Sequence, residues 1–184
     1  IISNVDNGTI LKRYPDLIVG TCLSDAGAGQ MVFSGDLYRY ALADALVKKE
    51  FATGGESDFA NRLPLAHLAQ PDRAEFDKML AQAKKASDRK ELQENFNKVE
   101  VVGWLSRYGE CVVRRDPAKA RLWILTPPDT PEETSRINDL QGPFNACLGN
   151  GTLEFNRITM RGVVAINYYR LAHATPVAAA MGAH

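Results

Sequence analysis

Histidines are the side chains of this sequence best suited to acid–base chemistry, and there are three: His67, His173 and His184. No two of them stand at the spacing of a metal-binding pair, so the sequence predicts no metal site. The motifs GxSxG, GxGxxG and the phosphate-binding loop are missing. His67 lies between leucines and alanines, which favours a half-buried histidine in a helix contact over a general base. We therefore expect no catalytic site and no cofactor. His67 and His173 should lie far apart, neither within hydrogen-bond reach of both an acid and a nucleophile.

The clearest pattern is an internal duplication, in which residues 31–48 align without a gap with residues 153–170. Each copy follows a Cys-Leu pair and a glycine-containing turn. Matched spacing of unlike residue types predicts a repeated supersecondary unit. The two related units cover about 17–52 and 104–172, joined by a helical connector.

Each copy is predicted to form a helix that begins at a capping residue, Ser34 or Asn156, and carries an arginine on an apolar stripe. These arginines are Arg39 and Arg161. A cation near a helix N-terminus is disfavoured by the helix dipole. We therefore expect both to be largely buried structural residues whose guanidinium groups bind a carboxylate or backbone carbonyls. An anion site for a ligand carboxylate or phosphate is the alternative.

Helix start signals dominate the rest of the sequence, and strand signals are weak. Asp72 and Asp88 each precede a glutamate by three residues, while Asp116 and Thr130 each precede a proline. The apolar period from Phe96 to Tyr108 favours helix over strand. The predicted fold class is therefore all-α, a mainly helical bundle built from the duplicated unit, with at most short strands.

Domain organisation follows from these elements. We expect a single helical domain over residues 1–175 and a flexible tail over 176–184, where the sequence has little to pack. The polar connector of residues 56–70 is expected to hold a short helix.

Charge and hydropathy exclude several classes of protein. Lys+Arg and Asp+Glu both number 22, which argues against binding to nucleic acid or to an anionic membrane surface. No apolar run approaches the roughly 18 residues of a transmembrane helix. A signal peptide is also not expected within this chain.

The segment 104–172 resembles a family of exported, periplasmic proteins of alphaproteobacteria, particularly sphingomonads. The resemblance rests on Cys111 in Cys-Val-Val, Asp116-Pro117, Cys147 in Cys-Leu, Met160-Arg161-Gly162 and Tyr169-Arg170. It extends more loosely to residues 17–52. The resemblance implies an exported compartment and no particular activity.

Three cysteines are present, and the exported compartment bears on their state. Cys111 and Cys147 are predicted to form a disulfide between two helical segments, since exported proteins retain such bonds. Two buried reduced thiols are the alternative. Cys22 has no partner in this scheme; it is buried, free or joined to another chain, and we favour burial.

Four aromatic residues of the second unit belong either to the core or to an exposed face for a partner protein: Trp104, Trp123, Tyr168 and Tyr169. The absence of motifs favours a non-catalytic exported protein that packs against a protein partner, an assembly or a second copy of itself. A carrier for a small hydrophobic or acidic ligand between the two halves is one alternative. A hydrolase with an unrecognised site is the other, and it would need a cleft where a histidine meets an acid and a nucleophile.

Overall fold

The structure is a computed structural model that describes residues 35–55, 58–149, 154 and 156–177. These residues contain seven α-helices and no β-strand, which confirms the all-α prediction. The helices are α1 (Gly35–Phe51), α2 (Arg73–Gln82), α3 (Ala86–Arg115), α4 (Pro117–Leu125), α5 (Pro131–Asp139), α6 (Gln141–Leu148) and α7 (Arg157–Ala172). The predictions for Cys22, for the Ser34 cap and for most of the proposed tail lie outside the described residues.

Most of the predicted helix starts are correct, because side-chain oxygens cap the first turns. Asp72 accepts from the backbone N–H of Ala74 at 2.8 Å. Asp116 accepts from Lys119 at 3.0 Å, and Thr130 Oγ1 from Glu133 at 3.2 Å. These bonds satisfy N–H groups that have no partner within the helix.

Asn156 accepts from the N–H of Thr159 at 2.8 Å and so caps α7, as predicted. The start predicted at Asp88 is wrong, since α3 begins at Ala86 and places Asp88 inside its first turn. A carboxylate there still interacts favourably with the helix dipole. Acidic residues are therefore common both at the cap and within the first turn, and the sequence alone does not distinguish the two positions.

Helix α7 lies at the centre of the bundle and packs against α1, α3 and α4. It is buried on every side from Met160 to Tyr168. Two glycines allow its neighbours to approach closely. A Cβ on Gly162 would stand 2.2 Å from Cγ of Tyr40 on α1, and one on Gly109 of α3 would stand 2.4 Å from Cγ1 of Val163. None of the described helices is long and apolar enough to cross a membrane.

The connector between α1 and α2 contains no helix over residues 58–70, so the short helix predicted there is wrong. Its backbone carbonyls bond to arginine side chains instead of forming helical hydrogen bonds. Arg114 of α3 donates to the carbonyls of Phe59 at 2.6 Å and Leu63 at 2.8 Å. Because these partners satisfy carbonyls of the connector, the connector can pack against the bundle without regular secondary structure.

The chain after α7 also holds the connector. Arg62 forms an isolated antiparallel bridge with Pro176, and the N–H of Val177 donates to the carbonyl of Asn61 at 2.9 Å. The first residues of the predicted tail are therefore bonded to the domain.

Arg161 lies in the core, with 7% of its surface exposed. Its Nε donates to Asp44 of α1 at 2.7 Å, and its Nη1 donates to Glu133 of α5 at 2.8 Å. Its Nη2 donates to the carbonyls of Ile124 and Thr126 at the end of α4. One guanidinium therefore joins α7 to three other helices. Its hydrogen bonds to carboxylates are charge-assisted, and such bonds are stronger than those between neutral groups.

Arg39, at the matching position of the first copy, is placed differently. It is half-buried and lines a cavity, whereas Arg161 lies in the core. The cause is the orientation of α1, whose Ala43 and Val47 face the core. The two segments that align in sequence therefore place their arginines in different environments.

Cys111 of α3 and Cys147 of α6 form the predicted pair at disulfide distance. Their sulfur atoms are 2.08 Å apart and their Cα atoms 5.9 Å apart. Beside them, the hydroxyl of Tyr108 donates to the carbonyl of Phe144 at 3.1 Å. The bond thus reinforces a contact that the two helices already make.

Replacing Arg161 with methionine should lower the free energy of unfolding by about 3–5 kcal/mol, because the buried carboxylate of Glu133 and the carbonyls of Ile124 and Thr126 would lose the cation that they bind. Urea unfolding monitored by circular dichroism measures this difference. Lys90→Met is the matched control, since Lys90 has a side chain 79% exposed and pairs with Glu94 on the surface. That pair should contribute less than about 1 kcal/mol. Equal losses in the two variants would contradict the assignment of Arg161 as a core residue.

Replacing Cys111 and Cys147 together with alanine should cost about 3–4 kcal/mol, the chain-entropy value for the loop that they close. Non-reducing peptide mapping of protein made in an oxidising compartment should return these two cysteines linked and Cys22 outside the pair. Recovery of both as free thiols in such protein would contradict the pairing.

Candidate functional site

A cavity of about 380 Å³ opens between α1, the connector, α3 and α7. Much of its wall is apolar. The apolar side chains include Leu68 of the connector, Val102 and Leu105 of α3, and Val163 and Ile166 of α7. Its size falls in the range of small-molecule sites, roughly 300–1,000 Å³. The cavity joins helices from both predicted units.

The charged part of the lining is mainly cationic. Arg39 of α1, Lys98 of α3 and Arg170 of α7 contribute to it, together with the carboxylate of Asp36. Burial, which has the largest effect, lowers the pKa of Arg170, and the neighbouring carboxylate of Glu110 opposes this change. An arginine nevertheless stays protonated at neutral pH. The lining therefore carries more positive than negative charge.

One wall residue, Ser106, belongs to a chain of polar contacts that leads away from the cavity. Its Oγ lies 2.8 Å from Nδ1 of His67, and Nε2 of the same ring contacts Oε2 of Glu110. Ser106 and Glu110 lie one turn apart on α3, while His67 comes from the connector. The expectation that His67 would not reach both an acid and a nucleophile is wrong.

Glu110 sets the direction of these hydrogen bonds. Its Oε1 accepts from the backbone N–H of Leu65 at 3.1 Å and from Nε of Arg114 at 2.7 Å. Burial raises the pKa of Glu110, but the hydrogen bonds from His67, Leu65 and Arg114 outweigh it and hold that pKa below its usual value. The side chain is therefore an ionised acceptor, and Nε2 of His67 must carry the proton that it binds.

With its proton on Nε2, a neutral His67 presents a lone pair at Nδ1. The Ser106 hydroxyl then donates to that lone pair. A hydroxyl hydrogen-bonded to a neutral imidazole, which is oriented by a carboxylate, is the arrangement that activates a serine as a nucleophile. The geometry can therefore perform nucleophilic chemistry at the wall of the cavity.

His173 takes no part in this arrangement. Its Nε2 lies 2.9 Å from Oε2 of Glu50 at the end of α1, and the hydroxyl of Tyr169 donates to the other oxygen of that carboxylate at 2.9 Å. The contact joins α1 to the end of α7. His184 lies outside the described residues. Among the residues that the structure describes, no group of three or more histidine, cysteine, aspartate or glutamate side chains could hold a metal ion.

Two of the four aromatic residues proposed as a partner surface belong to the core instead. Trp123 is 1% exposed and Tyr168 is fully buried, so both belong to the core. Trp104 is half-buried and stacks on Tyr108 with ring centroids 5.0 Å apart. Tyr169 is half-buried beside His173. Helix α7 lies at the centre of the bundle, so its aromatic side chains pack inward.

The sequence could have indicated two of the three side chains in the Ser106–His67–Glu110 arrangement. Ser106 and Glu110 are four residues apart on a helix, and such residues lie on the same face. The position of His67 could not be predicted, because it depends on an extended connector held by Arg114 and Arg170.

The free energy of unfolding should fall as the pH drops below about 4.5, the usual pKa of a glutamate, because Glu110 and Glu133 both have lowered pKa values in the folded chain. A group of this kind contributes stability above its unfolded-state pKa and loses the contribution as the pH falls through its folded-state pKa. Urea unfolding at pH 7 and pH 3 measures the effect. Glu110→Gln should differ from the native chain at pH 7 and much less at pH 3.

Glu100→Gln is the control, since Glu100 lies exposed on the same helix. It should keep the pH dependence of the native chain. A difference between Glu110→Gln and the native chain that is equal at both pH values would show that the pKa of Glu110 is not lowered.

Comparison of the chain with protein-family models, with curated proteins and with solved structures found no match. No relative therefore supplies an activity, a substrate or a set of functional residues. The function has to be inferred from the cavity and from the Ser106, His67 and Glu110 side chains beside it.

Proposed function

We propose that the chain binds a small amphipathic carboxylate in the cavity between α1, α3 and α7. The observation that carries this proposal is the lining itself, which combines apolar side chains with an excess of cationic ones. An apolar wall favours a hydrocarbon body, and cations favour a carboxylate group. Of the functions considered for this sequence, a ligand carrier is the one that such a lining supports best.

The apolar part of the ligand would contact Leu105, Val163 and Ile166, which are buried in the bundle. Each methylene group removed from water contributes about 0.8 kcal/mol to binding. A volume of about 380 Å³ suits a body of medium length, such as an eight-carbon chain.

The carboxylate of the ligand would be held by Arg39 and Arg170, with Lys98 adding positive charge. Guanidinium groups bind carboxylates through two parallel hydrogen bonds, which gives direction as well as affinity. Asp36 in the same lining disfavours a second negative charge on the ligand. The combination favours a monoanion.

A role as a packing subunit has less support from the structure, because Trp123 and Tyr168 are buried in the core. Association with a protein partner or a second copy stays a prediction. The cysteine pair at disulfide distance supports an exported, periplasmic compartment, where such bonds persist. A carrier in that compartment is consistent with both features.

Isothermal titration with octanoate tests the proposal, with 1-octanol as the uncharged ligand of the same length. The native chain should bind octanoate more tightly than 1-octanol. Replacing Arg39 and Lys98 together with glutamine should weaken octanoate binding by about tenfold or more, because hydrogen bonds to charged groups contribute about 1.5–3 kcal/mol. Binding of 1-octanol should change little.

Lys90→Gln is the matched control, because Lys90 lies on the same helix as Lys98 but outside the cavity lining. It should bind octanoate as the native chain does. Equal affinity of the native chain for octanoate and 1-octanol, or no binding of either, would reject the proposal.

A further inference from the structure

The Ser106 hydroxyl is the point at which the cavity meets the His67–Glu110 pair. It lines the cavity, and its Oγ lies 2.8 Å from Nδ1 of His67. A simple clamp between the connector and α3 would need only the bonds of Glu110 and Arg114 to the connector backbone. The contact from His67 to Ser106 is a further link between the connector and α3, and it also places an imidazole beside a hydroxyl at the cavity wall.

We propose that Ser106 and His67 are catalytic residues, positioned by Glu110, that hydrolyse carboxylic esters bound in the cavity. This inference rests on the proposed binding function, because the carboxylate bound there would be the product of the reaction. The substrate class is an uncharged ester of a medium-length aliphatic acid. Its apolar acyl chain would occupy the space lined by Leu105, Val163 and Ile166.

The reaction has two steps that balance without a redox partner. In the first, Oγ of Ser106 attacks the ester carbonyl carbon while its proton passes to Nδ1 of His67. The bond from that carbon to the alcohol oxygen then breaks, and the alcohol takes the proton from Nδ1. In the second step, water attacks the acyl carbon and gives a proton to Nδ1, and Ser106 leaves and recovers that proton. The products are an alcohol and a carboxylic acid, which ionises to its carboxylate.

Side chains, and not backbone groups, must stabilise the negative charge that develops on the carbonyl oxygen. Ser106 lies inside α3, so the backbone N–H groups around it are bonded within the helix. Arg170 lines the same cavity and donates to the carbonyl of Ala66, the residue before His67. A guanidinium at this place is a donor suited to an oxyanion, and donors of this kind contribute strongly to acyl transfer.

Glu110 determines which nitrogen of His67 carries the proton, and so which nitrogen can accept the proton of Ser106. In a Glu110→Gln variant, the amide oxygen would have to face the donors Leu65 and Arg114, which places the amide NH₂ against Nε2 of His67. Nε2 would then become the acceptor and Nδ1 would carry the proton. The imidazole could no longer accept the Ser106 proton, although the fold would lose only part of a hydrogen-bond network.

The test uses the full chain with p-nitrophenyl octanoate as the substrate and an alkyl fluorophosphonate as the covalent probe. The native chain should release p-nitrophenol catalytically and gain one phosphonyl group, which peptide mapping should place on Ser106. Ser106→Ala should lose both the labelling and the turnover. Ser135→Ala changes an exposed serine on α5, and it should keep both.

Glu110→Gln should lower kcat by about 10²–10⁴-fold, the usual contribution of general base catalysis, with little change in KM. Arg114→Met is its matched control, because it removes bonds from α3 to the connector backbone but keeps the Glu110 carboxylate that accepts from His67. A smaller loss of kcat in Arg114→Met than in Glu110→Gln supports the tautomer argument. Equal losses would show that Glu110 has only a structural role.

Octanoate titration of Ser106→Ala separates this inference from the proposed function. Retained octanoate binding with lost turnover supports both. Octanoate binding by a native chain that neither turns over the ester nor takes up the probe would overturn the catalytic inference and leave the binding function standing. Labelling at a residue other than Ser106, or native turnover in Ser106→Ala, would also overturn it. If the native chain binds no octanoate, the binding function fails as well.

Discussion

The buried guanidinium of Arg161 is the interaction on which the arrangement of the bundle depends. It is surrounded by oxygen atoms from Asp44, Glu133 and two carbonyls at the end of α4. A cation can be buried only when such partners are in place, since its desolvation costs several kcal/mol. The positions of α1, α4 and α5 around α7 are therefore specified together. Apolar packing alone would tolerate small shifts and rotations of these helices, whereas hydrogen-bond geometry does not.

Helix starts could be predicted from the sequence because capping is local. Asp72, Asp116, Thr130 and Asn156 each bond to a backbone N–H within three residues. The cysteine pair was also predictable, once the compartment was inferred from the resemblance. In each of these cases the relevant signal lies in a short stretch of sequence or in a residue type.

The course of the connector and the presence of the cavity could not be predicted from local sequence patterns. Carbonyls of the connector bind Arg114 and Arg170, which follow it by dozens of residues, so no local pattern distinguishes this segment from a short helix. His67 reaches Ser106 only because the connector is extended. The duplication was misleading in one respect, since Arg39 and Arg161 match in sequence but differ in burial. Packing against α7 places one at a cavity and the other in the core.

The disulfide has a consequence for the charged core. Glu133 and the carbonyls of Ile124 and Thr126 all belong to the loop closed by Cys111 and Cys147, whereas Arg161 lies outside it. In the oxidised unfolded chain, the loop keeps these three acceptors at a raised effective concentration relative to one another. Bringing these three acceptors together costs conformational entropy, and the disulfide has already removed part of that entropy from the unfolded chain. The covalent bond thus lowers the entropic cost of bringing together the acceptors of the ionic cluster, although it takes no part in that cluster.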